Sequence, residues 1–340
     1  MTKVRTTVQT IRKLQRLLGI FLCLAFAIAT ANSAEIKVSY ANYTIRDMIE
    51  DSQGNIWIGT FGLGLWKYAN GRPQPFIADA KNRPYPMISN LLLDGSRLWI
   101  ATAGGGCDCL NLKSGKFFDF SQTDGFKKLH GLIKTSHGDV ITGSVGSGTA
   151  IFNPEHSSWQ PVTDRTLQHL SWVNDLYEWK QRLWLATNCG LYSTPVEAVK
   201  KSWQPTSAGL GEGANCLFAS GDKLFIGTTS RGVFAMKTGK QPYPIRNTYG
   251  EIYFIASFRN RLIAGGQYGL WELNETSGQE IAKFPAIAAK SCLVTKNSVY
   301  IGTMDGKIIG TEDLNEFNLL LNLQQHGPEE LGNAKQTPKL

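Results

Sequence analysis

The sequence predicts an all-β chain: a seven-bladed β-propeller of four-stranded blades behind an N-terminal signal peptide. Three observations predict it. A short apolar strand with a small-residue exit recurs seven times, as WIGT at 57, WIAT at 99, ITGS at 141, WLAT at 184, FIGT at 225, LIAG at 262 and YIGT at 300. The copies lie 37 to 43 residues apart, a period that belongs to four-stranded propeller blades. Helical periodicity is nearly absent after residue 34, which argues against barrels and doubly wound folds with covering helices.

The elements follow in order. Residues 1–16 hold Lys3, Arg5, Arg12, Lys13 and Arg16 and no acid, residues 17–31 are an apolar run, and ATANSA supplies small residues for cleavage. This is the grammar of a secretory signal over 1–34, and the run is short for a permanent membrane anchor. The propeller is expected over 35–323. Each repeat opens with an alternating strand such as IRDMIED, HGLIKTS or VNDLYEW, then a Gly/Asn/Asp turn such as SQGN, SHGD or SGDK. The anchor strand, a glycine-bearing turn, a third strand and a weaker fourth complete the unit. Ring closure is expected from the segment 35–40, EIKVSY, on the last blade, with 317–320 as the other candidate for its outer strand. A polar tail is expected over 324–340.

The residue types have physical causes. A blade packs both faces against its neighbours, so its inner strands read as almost continuously apolar. Glycines at the exits permit positive φ in tight turns and close approach of the next blade. No blade buries itself alone, so the repeats stabilise one another around a ring.

Charge excludes some functions. The full chain has 35 basic and 27 acidic residues. Five of the bases lie in the signal, which leaves 30 against 27. No basic run survives, so nucleic acid is not an expected partner. No second apolar run is long enough to span a membrane, so no membrane insertion is expected after signal removal.

The natural site of such a ring is the mouth of its central channel, where the inner strands begin. Aligning the repeats places Arg46, Ser89, His130, Asn174, Asn215 and Ser291 at one equivalent position, with Glu251 or Ile252 from the sixth repeat. Polar groups converging on a concavity mark a ligand-binding site, against the plainer reading of a water-filled channel. Tyr43, Tyr85, Trp172, Tyr249 and Tyr253 lie near the same entrances and could stack on a sugar ring or a proline, or simply pack between blades.

Catalytic and metal signatures are weak. The five histidines form no HxH or HExxH pair, and a metal needs three or four converging ligands. The five cysteines after the signal, Cys107, Cys109, Cys189, Cys216 and Cys292, suggest no disulfide framework. The glycine runs at 103–106 and 209–213 open no helix, so phosphate-loop logic does not apply. No cofactor, metal or catalytic residue is therefore expected.

The unit IRDMIEDSQGNIWIGTFGLGLWKY (45–68) resembles the two-component-regulator propeller repeat, and RLWIATAGGGCDCLNL (97–112) fits the same pattern. In that family the propellers form the periplasmic, ligand-sensing half of hybrid histidine kinases, often recognising carbohydrate or other small ligands. The membrane helix, sandwich domain and kinase of that plan have no counterpart in the sequence. The resemblance implies a periplasmic or secreted, non-catalytic propeller that binds a small polar ligand or a partner protein and serves an envelope sensor. A propeller lyase of the streptogramin-inactivating kind, drawing on His130 with Glu251 or Glu212, and a pure interaction scaffold are the alternatives.

Overall fold

The computed structural model describes residues 43–76, 86–120, 126–162, 172–199, 206–274, 276–282 and 288–325. The signal region, the segment 35–40, Tyr85 and the tail beyond 325 lie outside the described residues. Seven four-stranded sheets are present, each built from consecutive strands in chain order. The innermost strands are Ile45–Glu50, Ile88–Asp94, Leu129–Lys134, Val173–Trp179, Ala214–Ser220, Ile252–Phe258 and Ala289–Val294. Each packs beside the next, and the last packs beside the first. The ring is a seven-bladed β-propeller. All seven anchor segments fall in second strands: Ile56–Thr60, Arg97–Thr102, Val140–Ser144, Arg182–Thr187, Lys223–Thr228, Arg261–Gly266 and Val299–Thr303.

The anchor motif has two structural jobs. Its terminal hydroxyl closes the following turn. Thr60 Oγ1 donates to the Gly64 carbonyl at 2.8 Å and accepts from Leu63 N. Thr102 and Thr228 repeat this with Gly106 and Gly232. Gly64, Gly106 and Gly232 have φ of 75°, 81° and 78°, a region that L side chains rarely occupy.

The glycine before the hydroxyl does the second job. A Cβ on Gly59 would lie 2.6 Å from Ile88 Cγ2 of the next blade. The same added atom on Gly143 would meet Val173, on Gly227 it would meet Ile252, and on Gly302 it would meet Ile45. A missing side chain in one blade thus seats the first β-branched residue of the next. Gly302 and Ile45 show that the seventh and first blades join as the others do.

At the closing blade the structure takes the second of the two segments expected as its outer strand, and 35–40 lies outside the described residues. The outer strand of the seventh blade is Asn318–Asn322, so that blade has four strands without 35–40. The seam is tied by Ser291 Oγ donating to the Ile45 carbonyl and Thr44 Oγ1 donating to the Met304 carbonyl, both at 2.9 Å. One apolar cluster spans it, joining Ile45, Ile58 and Trp66 to Leu293, Ile308 and Leu321. The propeller is packed to its expected end: Leu323 is fully buried, and Gln324 Nε2 donates to the Asp305 carbonyl at 2.8 Å. Gly302→Ala should overpack this seam and lower stability by about 1–3 kcal/mol, read as a fall in the thermal midpoint.

The described cysteines are all free; Cys107, Cys109 and Cys216 are buried and Cys189 is exposed. Among the described residues no helix is long and apolar enough to cross a membrane.

Candidate functional site

The innermost strand of every blade slips by one residue against its neighbour at the same place. Ile45 pairs with Thr60 but Asp47 with Gly59, leaving Arg46 as the extra residue. Equivalent slips leave out Ser89, His130, Asn174, Asn215, Tyr253 and Lys290. A β-bulge of this kind re-aims a side chain out of the ladder. Here it lines one cavity of ≈ 690 Å³ with all seven side chains. That is the size of a small-molecule site.

Five of the six residues expected from sequence are in this ring: Arg46, Ser89, His130, Asn174 and Asn215. Ser291 is not at the equivalent position. The slip in the seventh blade lies at Lys290, and Ser291 Oγ is used on the Ile45 carbonyl. In the sixth blade the position belongs to Tyr253 rather than Glu251 or Ile252.

The residue after the bulge has a separate task. The slip leaves one amide of the next blade without a ladder partner, and a side chain meets it. Asp47 Oδ2 accepts from Leu91 N and Asn90 Nδ2, both at 2.8 Å. Asn90 Oδ1 accepts from Leu132 N at 2.9 Å, and Asp175 Oδ2 accepts from Leu217 N at 2.8 Å. These are blade-to-blade clasps. Burial pushes the Asp47 carboxyl up to about 6 and the Asp175 carboxyl up to about 7, against the lowering effect of those amides.

The ring divides into two halves. Through blades four to six the polar groups satisfy one another. Asn174 Nδ2 donates to Asn188 Oδ1 and to the Ala214 carbonyl, both at 2.8 Å. Asn215 Nδ2 donates to Glu251 Oε1 at 3.1 Å, and the Tyr253 hydroxyl donates to Glu251 Oε2 at 2.9 Å. Through blades seven, one and two they do not. Among the described residues, Arg46 Nε and Ser89 Oγ are buried with no hydrogen-bond partner. The Arg46 guanidinium lies 5.4 Å from the Phe61 ring centroid, and Lys290 Nζ lies 3.5 Å from that of Tyr253. Burial lowers the pKa of both cations, Lys290 well below its ordinary value, and Arg46 lowers Lys290 further.

His130 behaves differently from an unperturbed imidazole. Burial, then Arg46 and Lys290, push it down to about 4, with Asn174 opposing. An imidazole held that low is neutral near pH 7. Its ring resonances in NMR should titrate with a midpoint near 4 and stay unchanged from pH 6 to 8.

At the rim, Trp172 is 42% exposed with its ring 6.5 Å from that of His130. Tyr249 and Tyr268 are also exposed and pack together. Tyr43 instead belongs to the seam core. Glu212 is taken up by Arg231 at 3.4 Å and Ser230 at 2.9 Å. Among the described residues no group of three or more His, Cys, Asp or Glu could hold a metal ion.

With this geometry in view, the comparisons with known proteins place the first blade. Residues 39–62 match the Two component regulator propeller family. The repeat takes in the innermost and second strands of blade one and so includes Arg46. Among solved structures, the chain is similar to the extracellular domain of a protein assigned as a hybrid two component system in B. thetaiotaomicron. The TM-score is 0.68 at 16% identity, over 79% of this chain and 40% of that one. A domain assigned to a one component system of the same organism gives 0.64 at 15%, over 82% and 40%. Virginiamycin B lyase from Staphylococcus aureus gives 0.64 at 10%, over 79% and 94%. At these identities the likeness is one of fold. The chain spans about two fifths of the length of the two sensor-system domains. No protein of curated function matches it.

Proposed function

We propose that the chain is an exported, periplasmic or secreted propeller that binds a small polar ligand in its channel mouth without chemistry and serves an envelope sensor. The observation that carries this is the repeated bulge. Seven blades each aim one side chain into a single cavity, and two of those side chains, Arg46 and Ser89, keep a buried polar atom with no hydrogen-bond partner among the described residues. A buried polar atom without a partner loses its hydration for nothing unless something else binds it. The sensor context rests on the Two component regulator propeller repeat and the extracellular sensor domains that share the fold. The cavity's size favours a small molecule, including a carbohydrate, over a protein partner.

The fold match to a lyase over nearly all of that enzyme's chain favours a second, catalytic reading. It asks for a histidine and an acid poised together at the mouth. His130 has Asn174 as its partner, while Glu251 is held by Tyr253 and Asn215. The scaffold reading asks for a broad apolar face, and the exposed rim aromatics Trp172, Tyr249 and Tyr268 are its best support.

A thermal-shift screen of the mature protein against sugars, sugar acids, peptides and metal ions tests the proposal. Arg46→Ala should not lower the melting temperature of the free protein, since the Arg46 side chain makes no hydrogen bond or ion pair among the described residues and its burial is unfavourable. It should weaken the best binder at least tenfold, about 1.4 kcal/mol. If Arg46→Ala and Asn174→Ala both bind as wild type does, the mouth is not the site and the scaffold reading leads.

A further inference from the structure

The ring's unsatisfied half is cationic, and this defines the ligand further. Arg46 and Lys290 come from blades one and seven, which adjoin at the seam. The bulge of each strand aims them into the same cavity. Among the described residues neither forms an ion pair. Glu251, which lines the same cavity, is hydrogen-bonded by the Tyr253 hydroxyl and Asn215 Nδ2. Asp47 and Asp175 spend their oxygens on backbone amides of the clasps. Two basic side chains are therefore held in one partly desolvated space, each against an aromatic ring, with Glu251 the carboxylate whose charge acts on both. Like charges so placed repel, and desolvation adds to the penalty. An anion entering the cavity relieves both effects.

Resting on the ligand-binding reading above, we propose that the ligand is a small, hydroxyl-rich carboxylate whose carboxylate lies between Arg46 and Lys290. The planar guanidinium matches a carboxylate edge, and the Lys290 side chain, protonated as an anion enters, adds a compact charge. Ser89 lines the same cavity, and its buried hydroxyl has no hydrogen-bond partner among the described residues. Asn174, Asn215 and Tyr253 are already bonded to one another's neighbours and keep spare capacity for the ligand's remaining hydroxyls. A neutral sugar would leave the two cations unrelieved.

Calorimetric titration with galacturonate, its methyl ester and galactose tests this. Galacturonate is expected to bind at least tenfold more tightly than the ester or galactose, and the advantage should vanish in Arg46→Met and in Lys290→Met. The ester removes the charge from the ligand side, so the test holds even if a variant fails to fold. Equal binding of all three, weakened by Asn174→Ala, would overturn the carboxylate assignment and leave the channel-mouth site standing. No binding of any of the three, or binding indifferent to every channel substitution, would overturn the carboxylate assignment together with the site.

Discussion

Trp66→Ala should destabilise the protein by about 3–5 kcal/mol, the range for removing a fully buried large aromatic. Trp66 has no exposed surface. Its indole packs in the cluster that spans the seam between blades one and seven, and its Nε1 donates to the Leu63 carbonyl at 3.2 Å. The cavity left behind cannot collapse easily, because residues of both blades already define it. Trp172→Ala is the control. That residue is 42% exposed, and a surface change of this kind stays within about 0.5 kcal/mol. Urea unfolding midpoints of the two variants read the contrast. Equal midpoints would mean that the seam is not held by this core.

Asp175→Ala is expected to have the next largest effect, about 2–4 kcal/mol. The carboxylate accepts from Leu176 N and from Leu217 N, each at 2.8 Å. Deleting it leaves two amides without partners, at about 1–3 kcal/mol apiece. The same carboxyl gives a pH signature. Burial raises its folded pKa to about 7, above the ordinary 3.8. The folded state therefore binds more protons than the unfolded state between these values, and stability from this group falls as pH rises from about 4 to about 7. Asp47, pushed up to about 6, acts in the same direction. His130, lowered to about 4, acts in the opposite one below 6.5. The difference between wild type and Asp175→Asn isolates the one group. Wild type should lose stability relative to Asp175→Asn across that window, and a constant difference would show that the carboxyl is not strained by burial.

The fold was legible because the anchor motif is dictated by local physics. A glycine that must admit the next blade's Ile or Val, and a hydroxyl that must close a turn, cannot vary freely, and they mark the period. Gly59 and Gly302 repeat one contact at opposite ends of the chain. The ring residues were legible in five blades for the same reason. In blades six and seven the slip of the ladder is not visible in any single residue, and Tyr253 and Lys290 were displaced by one or two positions. A better ruler was present. The buried apolar residue opposite the anchor's last residue, Ile45, Ile88, Leu129, Val173, Ala214 or Ala289, directly precedes the bulge, and in the sixth blade Ile252 does so opposite Gly266, one past LIAG. Counting from it gives Arg, Ser, His, Asn, Asn, Tyr and Lys. The clasp role of Asp47, Asn90 and Asp175 had no such signal, because it depends on an amide freed in another blade.

The fourth strand of the closing blade was open between two candidates in the sequence. An apolar-alternating N-terminal segment and an apolar C-terminal one both fit an outer strand, and sequence does not rank them. The strand Asn318–Asn322 takes the place, with Leu319 and Leu320 left exposed on its edge.

The most direct test is a crystal structure of the mature protein with the tightest binder from the screen. Ligand density inside the ring, in contact with Arg46 and Lys290 on the side of blades seven, one and two, is the predicted result. Density on the outer surface or at the opposite end of the channel, with the mouth holding only water, would contradict it.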